Sequence, residues 1–129
     1  MTEAWLSDGW WAAAAAEMAG VTGPPTLSGT VDVEVTGGPD GDVAGHVVFA
    51  GGRLVASGPG AATGADATLT LTDADARAVA TGDLELSVAF MQGRMKVAGA
   101  MAPVLDLLVL AGTDDVRIRR ARLAEQTDL

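Results

Sequence analysis

The clearest pattern in the chain is an alternation of apolar and polar residues in its first third. Val31, Val33 and Val35 are separated by an aspartate and a glutamate and flanked by threonines, the period of two that is typical of a strand with one water-facing side. Similar runs predict three further strands, at residues 43–50, 53–57 and 67–72. Gly51 and Gly52 lie between the first two of these, and two glycines suit a two-residue hairpin turn because both can adopt positive φ.

Helical periodicity predicts four helices, at residues 2–19, 73–80, 84–92 and 101–110. The first is rich in alanine and is capped by Ser7 or Thr2, with Trp5, Leu6 and some of the alanines forming one stripe. Residues 113–123 carry both patterns. Thr113 is typical of the residue that caps a helix. In contrast, Val116, Arg117 and Ile118 alternate between apolar and polar, as in a strand. We predict a helix there.

The stretch from residue 89 to residue 101 changes period at Gly93. Before this glycine the apolar residues recur at helical spacing, and after it they alternate, so Gly93 is predicted to end a helix that leads into a strand at 94–98. A second helix is predicted beyond Gly99, with Met101, Val104, Leu105 and Leu108 on one face. The two helices and the strand would then converge on one apolar space, with the amide of Gln92 at its edge.

Composition removes several classes of function. The 129 residues suit one domain, here divided into an N-terminal helix (1–20), a core (26–111) and a C-terminal helix or tail (113–129). The formal net charge of −9 disfavours nucleic acid as a partner and repels anionic membranes. The chain has no cysteine and a single histidine, which excludes disulfides, thiolate catalysis and His-rich metal sites.

The polar residues do not form a recognisable catalytic motif. His46 has no cysteine to activate, Ser57 and Ser87 lack a nucleophile-elbow setting, and no phosphate-binding glycine loop occurs. The acidic pairs at Asp73/Asp75 and Asp114/Asp115 stand at predicted helix starts, where capping explains them. We therefore predict no enzyme activity, no metal and no cofactor.

Targeting signals and membrane spans are also not evident in the sequence. The N-terminus has acids and no basic region before its alanine run, which is shorter than the ~20 residues that a membrane span requires. The chain ends in Thr127-Asp128-Leu129 and so differs from the peroxisomal address. We expect a bacterial cytoplasmic protein.

Two clusters, one of tryptophans and one of arginines, each have two interpretations. Trp5, Trp10 and Trp11 are spread around the first predicted helix, so they pack on the sheet or lie at a ligand portal or partner surface. Half of the basic residues fall between Arg117 and Arg122, which makes them either a solvated tail or a docking surface for an acidic partner or lipid head groups. Packing and solvation are the commoner explanations.

Two runs of residues resemble a known family. The run A-F-M-Q-G-R-M-K-V-A-G-A-M at 89–101, with A-D-A-T-L-T-L-T-D at 65–73, is similar to the sterol carrier protein type 2 (sterol-binding domain) family over residues 26–111. The resemblance implies an α/β fold of the α+β type, with a single five-stranded, mostly antiparallel sheet covered by helices and enclosing a hydrophobic tunnel. It also implies that Gln92 lies at the tunnel and binds a ligand's hydroxyl, carbonyl or carboxylate. Relatives usually have a bulky apolar residue near Ala76, so its small size would leave space there.

From the residues alone, methionines at helical spacing indicate an ordinary core, whereas the resemblance favours a cavity. We predict a non-catalytic carrier of a sterol, fatty acid or related lipid, with at most transient membrane contact. The alternative is an accessory subunit that docks on a lipid- or polyketide-metabolising enzyme. The residues predicted to contact the ligand are Val79, Leu84, Phe90, Met91, Gln92, Met95, Met101, Val104, Leu105 and Leu108.

Overall fold

A computed structural model describes residues 2–129. Its main sheet has five strands in the order β4-β3-β2-β5-β6, and all neighbours are antiparallel except β2 and β5, which are parallel. The strands are β1 (Glu3–Ala4), β2 (Gly29–Gly38), β3 (Gly41–Ala50), β4 (Arg53–Pro59), β5 (Ala67–Thr72), β6 (Lys96–Gly99) and β7 (Thr127–Asp128). The helices are α1 (Asp8–Glu17), α2 (Asp73–Thr81), α3 (Leu86–Met91), α4 (Met101–Ala111) and α5 (Asp114–Glu125). The predicted α/β fold with a five-stranded, mostly antiparallel sheet is confirmed.

Local turn chemistry explains where most elements begin and end. Gly51 and Gly52 connect β3 to β4 with φ of 56° and 87°, as expected of the two-residue hairpin. Thr72 caps α2 by accepting a hydrogen bond from the Asp75 backbone N–H. Gly93 follows α3 with φ of 72°, which confirms it as a helix stop. Residues 114–125 form a helix, so the choice of helix for this ambiguous segment is also confirmed.

One face of the sheet packs under the helices. The residues that point to this side from β2 and β5 are buried: Val31, Val35, Ala67, Leu69 and Leu71. They contact α2, α3 and α4 through a cluster that includes Ala89, Met95 and Val104. Among the described residues, no helix combines the length and apolar character that crossing a bilayer requires.

The other face of the sheet is less exposed than its alternating pattern predicts. Asp32 was expected to face water, yet it is only 8% exposed. The reason is the connection from β4 to β5, which crosses this face of the sheet. Ala62 in that connection donates its backbone N–H to Asp32 Oδ1 at 2.9 Å. The prediction of a wet position is therefore wrong for Asp32, because the covering segment is distant in sequence.

The N-terminal segment also differs from its prediction. The helix begins at Asp8 and not at Thr2, with the Ser7 hydroxyl accepting the backbone N–H of Trp10 at 3.2 Å. Residues 3–4 instead form β1, which pairs in parallel with β7 near the other end of the chain. Trp5 and Leu6 are thus outside the helix and do not belong to a helical stripe.

Candidate functional site

An apolar cavity of about 260 Å³ lies between the sheet and the helices. Its floor is the covered face of the sheet, formed by Val33, Val35, Val47, Leu69 and Leu71. Its walls come mainly from α1, α2 and α5, with Leu86 of α3 and Leu107 of α4 completing them. We call this space the inner cavity. Nearly all of its lining atoms are hydrocarbon, so an apolar ligand would lose its contact with water there without leaving polar groups unpaired.

Small side chains on two helices keep the inner cavity open. Ala76 and Ala80 line it from successive turns of α2, and Ala124 lines it from α5. The larger residues beside these alanines set the distance between the helices and the sheet. A methyl group is too small to fill the space that this distance leaves. Ala76 was singled out in the sequence as a small residue that leaves space, and it does line the inner cavity.

Three tryptophans form one end of the inner cavity. Trp10 packs edge-to-face on both Trp5 and Trp11, with ring centroids 5.0 Å apart in each pair. Trp5 Nε1 donates to Asp73 Oδ1, and Trp10 Nε1 donates to Thr127 Oγ1, both at 3.0 Å. Within residues 2–129, Trp11 Nε1 is the buried side-chain nitrogen or oxygen that has no hydrogen-bond partner. These rings therefore hold the site rigidly, and one N–H within its wall is unsatisfied.

Arg120 is the charged residue that borders the inner cavity. Its side chain is only 14% exposed, and its Nη2 lies 3.4 Å from Glu85 Oε1. Arg117 lies 3.3 Å from the same Glu85 oxygen and 3.7 Å from Asp114 Oδ1, so these two guanidinium groups face two carboxylates. Charge-assisted hydrogen bonds from Arg120 would favour an anionic group at this end of the inner cavity.

Comparison with known proteins places the chain in a family. The model of the SCP-2 sterol transfer family matches residues 25–111. The chain belongs to this family. No curated protein matches it.

Solved structures with the same fold include members described as sterol carriers. Sterol carrier protein 2 is 20% identical, with a TM-score of 0.71 over 89% of this chain and 96% of the other. A conserved hypothetical protein from Thermus thermophilus is 17% identical, with a TM-score of 0.74 over 92% and 89% of the two chains. Palmitated sterol carrier protein 2 like 2 from Aedes aegypti is 19% identical, with a TM-score of 0.58 over 70% and 78%. At these identities the comparison establishes the fold.

In this member of the sterol transfer family the inner cavity is displaced from the predicted apolar space. The sequence predicts that space beside α3 and α4, whereas the inner cavity lies mainly against α1, α2 and α5. Of the ten predicted contact residues, Val79 lines the inner cavity. Leu84, Met95 and Val104 are buried in the core cluster, and Phe90 and Leu108 pack against it partly buried. Their part in ligand binding stays a prediction.

The remaining four predicted residues lie at the surface: Met91, Gln92, Met101 and Leu105. Met91 is 82% exposed and Leu105 is 50% exposed. Gln92 accepts a hydrogen bond from Arg94 Nη1 through its Oε1, at 3.2 Å. Arg94 in turn binds Asp75 Oδ1 at 2.7 Å, and this hydrogen bond lowers the pKa of the Asp75 carboxyl. The Gln92 amide thus has a polar partner outside the apolar space.

The structure adds residues to the site that the sequence did not assign. The tryptophans were considered as packing residues or as a portal, and all three line the inner cavity. In the sequence Arg120 is only one residue of a predicted basic tail. Helical periodicity shows that the arginines of α5 point in different directions, but it does not show which of them faces the sheet. Its neighbour Arg122 is exposed and lies 3.7 Å from Glu17, so only the packing of α5 distinguishes the two.

Proposed function

We propose that the protein binds a sterol, fatty acid or related lipid in the inner cavity and carries it without chemical change. The observation that carries this proposal is an apolar space of about 260 Å³ between the sheet and the helices, which alanines on α2 and α5 leave unfilled. Family membership and the palmitated relative from Aedes aegypti support the same class of ligand. Each methylene that moves from water into the cavity would contribute about 0.8 kcal/mol to binding.

A direct test is to record native mass spectra of freshly purified protein and then titrate the delipidated protein with fatty acids and sterols. The three tryptophans line the inner cavity, so their fluorescence should report occupancy. We expect saturable binding with one lipid per chain. A folded protein that binds none of these lipids would contradict the proposal.

We further propose that the ligand has an anionic polar end, because Arg120 is the charged residue that borders the inner cavity and its side chain is only 14% exposed. Arg120→Gln should weaken the binding of a free fatty acid by about ten- to a hundredfold, since hydrogen bonds to charged groups contribute about 1.5–3 kcal/mol. The binding of its methyl ester should change little.

Arg122→Gln is the matched control, because Arg122 lies on the same helix with a mostly exposed side chain. Exposed ion pairs contribute little, so this variant should bind both ligands like the wild type. Equal losses for the acid and the ester in Arg120→Gln would show that the residue acts only through packing.

A second candidate function is docking on an enzyme that uses or produces the lipid. Met101, Leu105 and Val109 follow each other at intervals of four residues along α4, and all three are exposed. Rows of exposed apolar side chains mark interaction surfaces, and the net charge of −9 disfavours an anionic membrane as their partner.

We expect a stoichiometric protein to co-purify with the wild type and to be lost from a Leu105→Gln, Val109→Gln variant that still binds lipid. We place both activities in the cytoplasm, which cell fractionation would test.

A further inference from the structure

A second space of about 260 Å³ lies next to the inner cavity. Pro39 and Asp40 of the turn between β2 and β3 form one side of it, and Asp73 and Arg77 of α2 form another. We call it the outer cleft. Its lining is mixed, because polar side chains and backbone groups alternate with apolar ones.

Two consecutive residues separate the outer cleft from the inner cavity. Trp5 and Leu6 border both spaces, together with Val35 of the sheet below them. Leu6 has φ of 61°, and among residues 2–129 it is the non-glycine residue with a left-handed backbone. Such a conformation is unfavourable for a leucine and persists only where the surroundings hold it.

The hydrogen bonds around this pair hold it in place from both sides. The β1–β7 pairing ends at Ala4, and the Ser7 backbone N–H donates to the Ala4 carbonyl oxygen at 3.1 Å. The Trp5 indole is bound to Asp73, and the Arg77 guanidinium carbon lies 5.6 Å from the Trp5 ring centroid. Hydrogen bonds therefore hold the backbone on both sides of Leu6, although no long element supports it.

The positions of the charges indicate how a ligand would lie in the inner cavity. Trp5 contacts Asp73 at the beginning of α2, whereas Arg120 reaches the glycine that ends this helix, Gly82. The nine residues of α2 separate the two ends by about 13 Å at about 1.5 Å per residue. A carboxylate paired with Arg120 would thus direct its hydrocarbon chain along α2 towards Leu6.

The outer cleft does not attract a carboxylate in the same way. Three acids, Asp40, Asp73 and Asp128, line the outer cleft with one basic residue, Arg77. In contrast, Arg120 lines the inner cavity and no acid among the described residues does. An anionic group would meet uncompensated acids there. We therefore expect a bound fatty acid to place its carboxylate at Arg120 and its methyl end at Leu6.

We propose that Trp5 and Leu6 set the maximum chain length of an unbranched fatty acid, and that the outer cleft is the extension of the site beyond them. The proposal builds on the proposed lipid-binding function. The inner cavity alone is slightly smaller than the about 300–1,000 Å³ of typical ligand sites, whereas the two spaces joined would fall within that range. Removing the Leu6 side chain would join them.

The test is to measure affinity against chain length for the wild type and Leu6→Gly by tryptophan fluorescence, using decanoate, laurate, myristate, palmitate and stearate below their micelle concentrations. Affinity in the wild type should rise about fourfold per methylene until the inner cavity is full and should then level off. In Leu6→Gly the rise should continue to longer acids, so that stearate gains about tenfold or more over the wild type while decanoate changes by less than about twofold.

Leu6→Phe should shift the limit to shorter acids, which tests the same wall in the opposite direction and keeps a side chain at this position. Val55→Ala is the control, since it shortens an exposed apolar side chain outside both spaces. Identical chain-length profiles in the wild type and both Leu6 variants would overturn the proposal. That result differs from a wild type that binds no fatty acid, which would overturn the lipid-binding function itself.

Discussion

Replacing Ala124 with phenylalanine is expected to weaken lipid binding about a hundredfold while the protein stays folded. Ala124 lines the inner cavity from α5, so the new ring would occupy the space that the ligand needs. A phenyl ring displaces about four methylenes of ligand, which corresponds to about 3 kcal/mol and about a hundredfold in affinity. The thermal midpoint should be unchanged or slightly higher, because filling an apolar cavity adds contacts.

Ala121→Phe is the matched control on the same helix, because Ala121 is exposed and does not line the inner cavity. It should bind lipid as the wild type does. The measurements are the fluorescence titration and a thermal melt of both variants. If Ala124→Phe bound lipid normally while remaining folded, the ligand would have to lie elsewhere, and the surface of α3 and α4 would be the next place to examine.

The parts of the fold that local chemistry determines could be predicted from the sequence. The alternation of Val31, Val33 and Val35 predicts a strand, and Gly51-Gly52 predicts the hairpin, since each depends on neighbours within a few residues. Gly93 was predicted to stop α3 for the same reason. The family resemblance then supplied the number of strands and their mostly antiparallel arrangement, which periodicity alone does not specify.

The features that could not be predicted depend on contacts between distant parts of the chain. Glu3 and Ala4 form a strand only because residues 127–128 lie beside them, and a propensity for helix in the first residues cannot reveal that partner. Asp32 is buried by a loop that begins more than twenty residues later. In both cases tertiary pairing determines the outcome.

The predicted face of α4 was wrong for Met101 and Leu105, which are exposed, and the reason is the composition of this helix. Asp106 is the only charged residue in the eleven residues from Met101 to Ala111. When apolar side chains surround a helix, the period of 3.6 gives no contrast between its faces. Leu107 faces the inner cavity, yet the sequence contains nothing that distinguishes it from Leu105.

The location of the cavity follows from small residues more than from large ones. The apolar space predicted from the sequence depends on Phe90 and the methionines, which fill space, whereas the residues that leave space are alanines on α2 and α5. An alanine in a helix has high propensity for reasons unrelated to a cavity. Only the distance between the elements that carry these alanines shows whether their size matters.

Gly45 provides a further test of the wall formed by Trp11. This glycine lies in the middle of β3, and a Cβ placed on it would collide with the six-membered ring of Trp11. Gly45→Ala is therefore expected to lower the free energy of unfolding by about 1–3 kcal/mol, because the ring must move from its position. Because Trp11 also lines the inner cavity, a displaced ring would change the shape of that cavity, and lipid binding should weaken as well.

The clash can be isolated with a double-mutant cycle. In a Trp11→Leu background Gly45→Ala should cost much less, with a coupling free energy of about 1–2 kcal/mol measured by urea denaturation. Gly58→Ala is the control, because Gly58 is buried in the neighbouring strand and a Cβ there would meet His46 at an ordinary distance of 3.5 Å. An equal cost of Gly45→Ala with and without the indole would mean that the glycine is needed by the backbone of β3. The position of Trp11 against the sheet would then have another cause, and the inner cavity would not depend on this close approach.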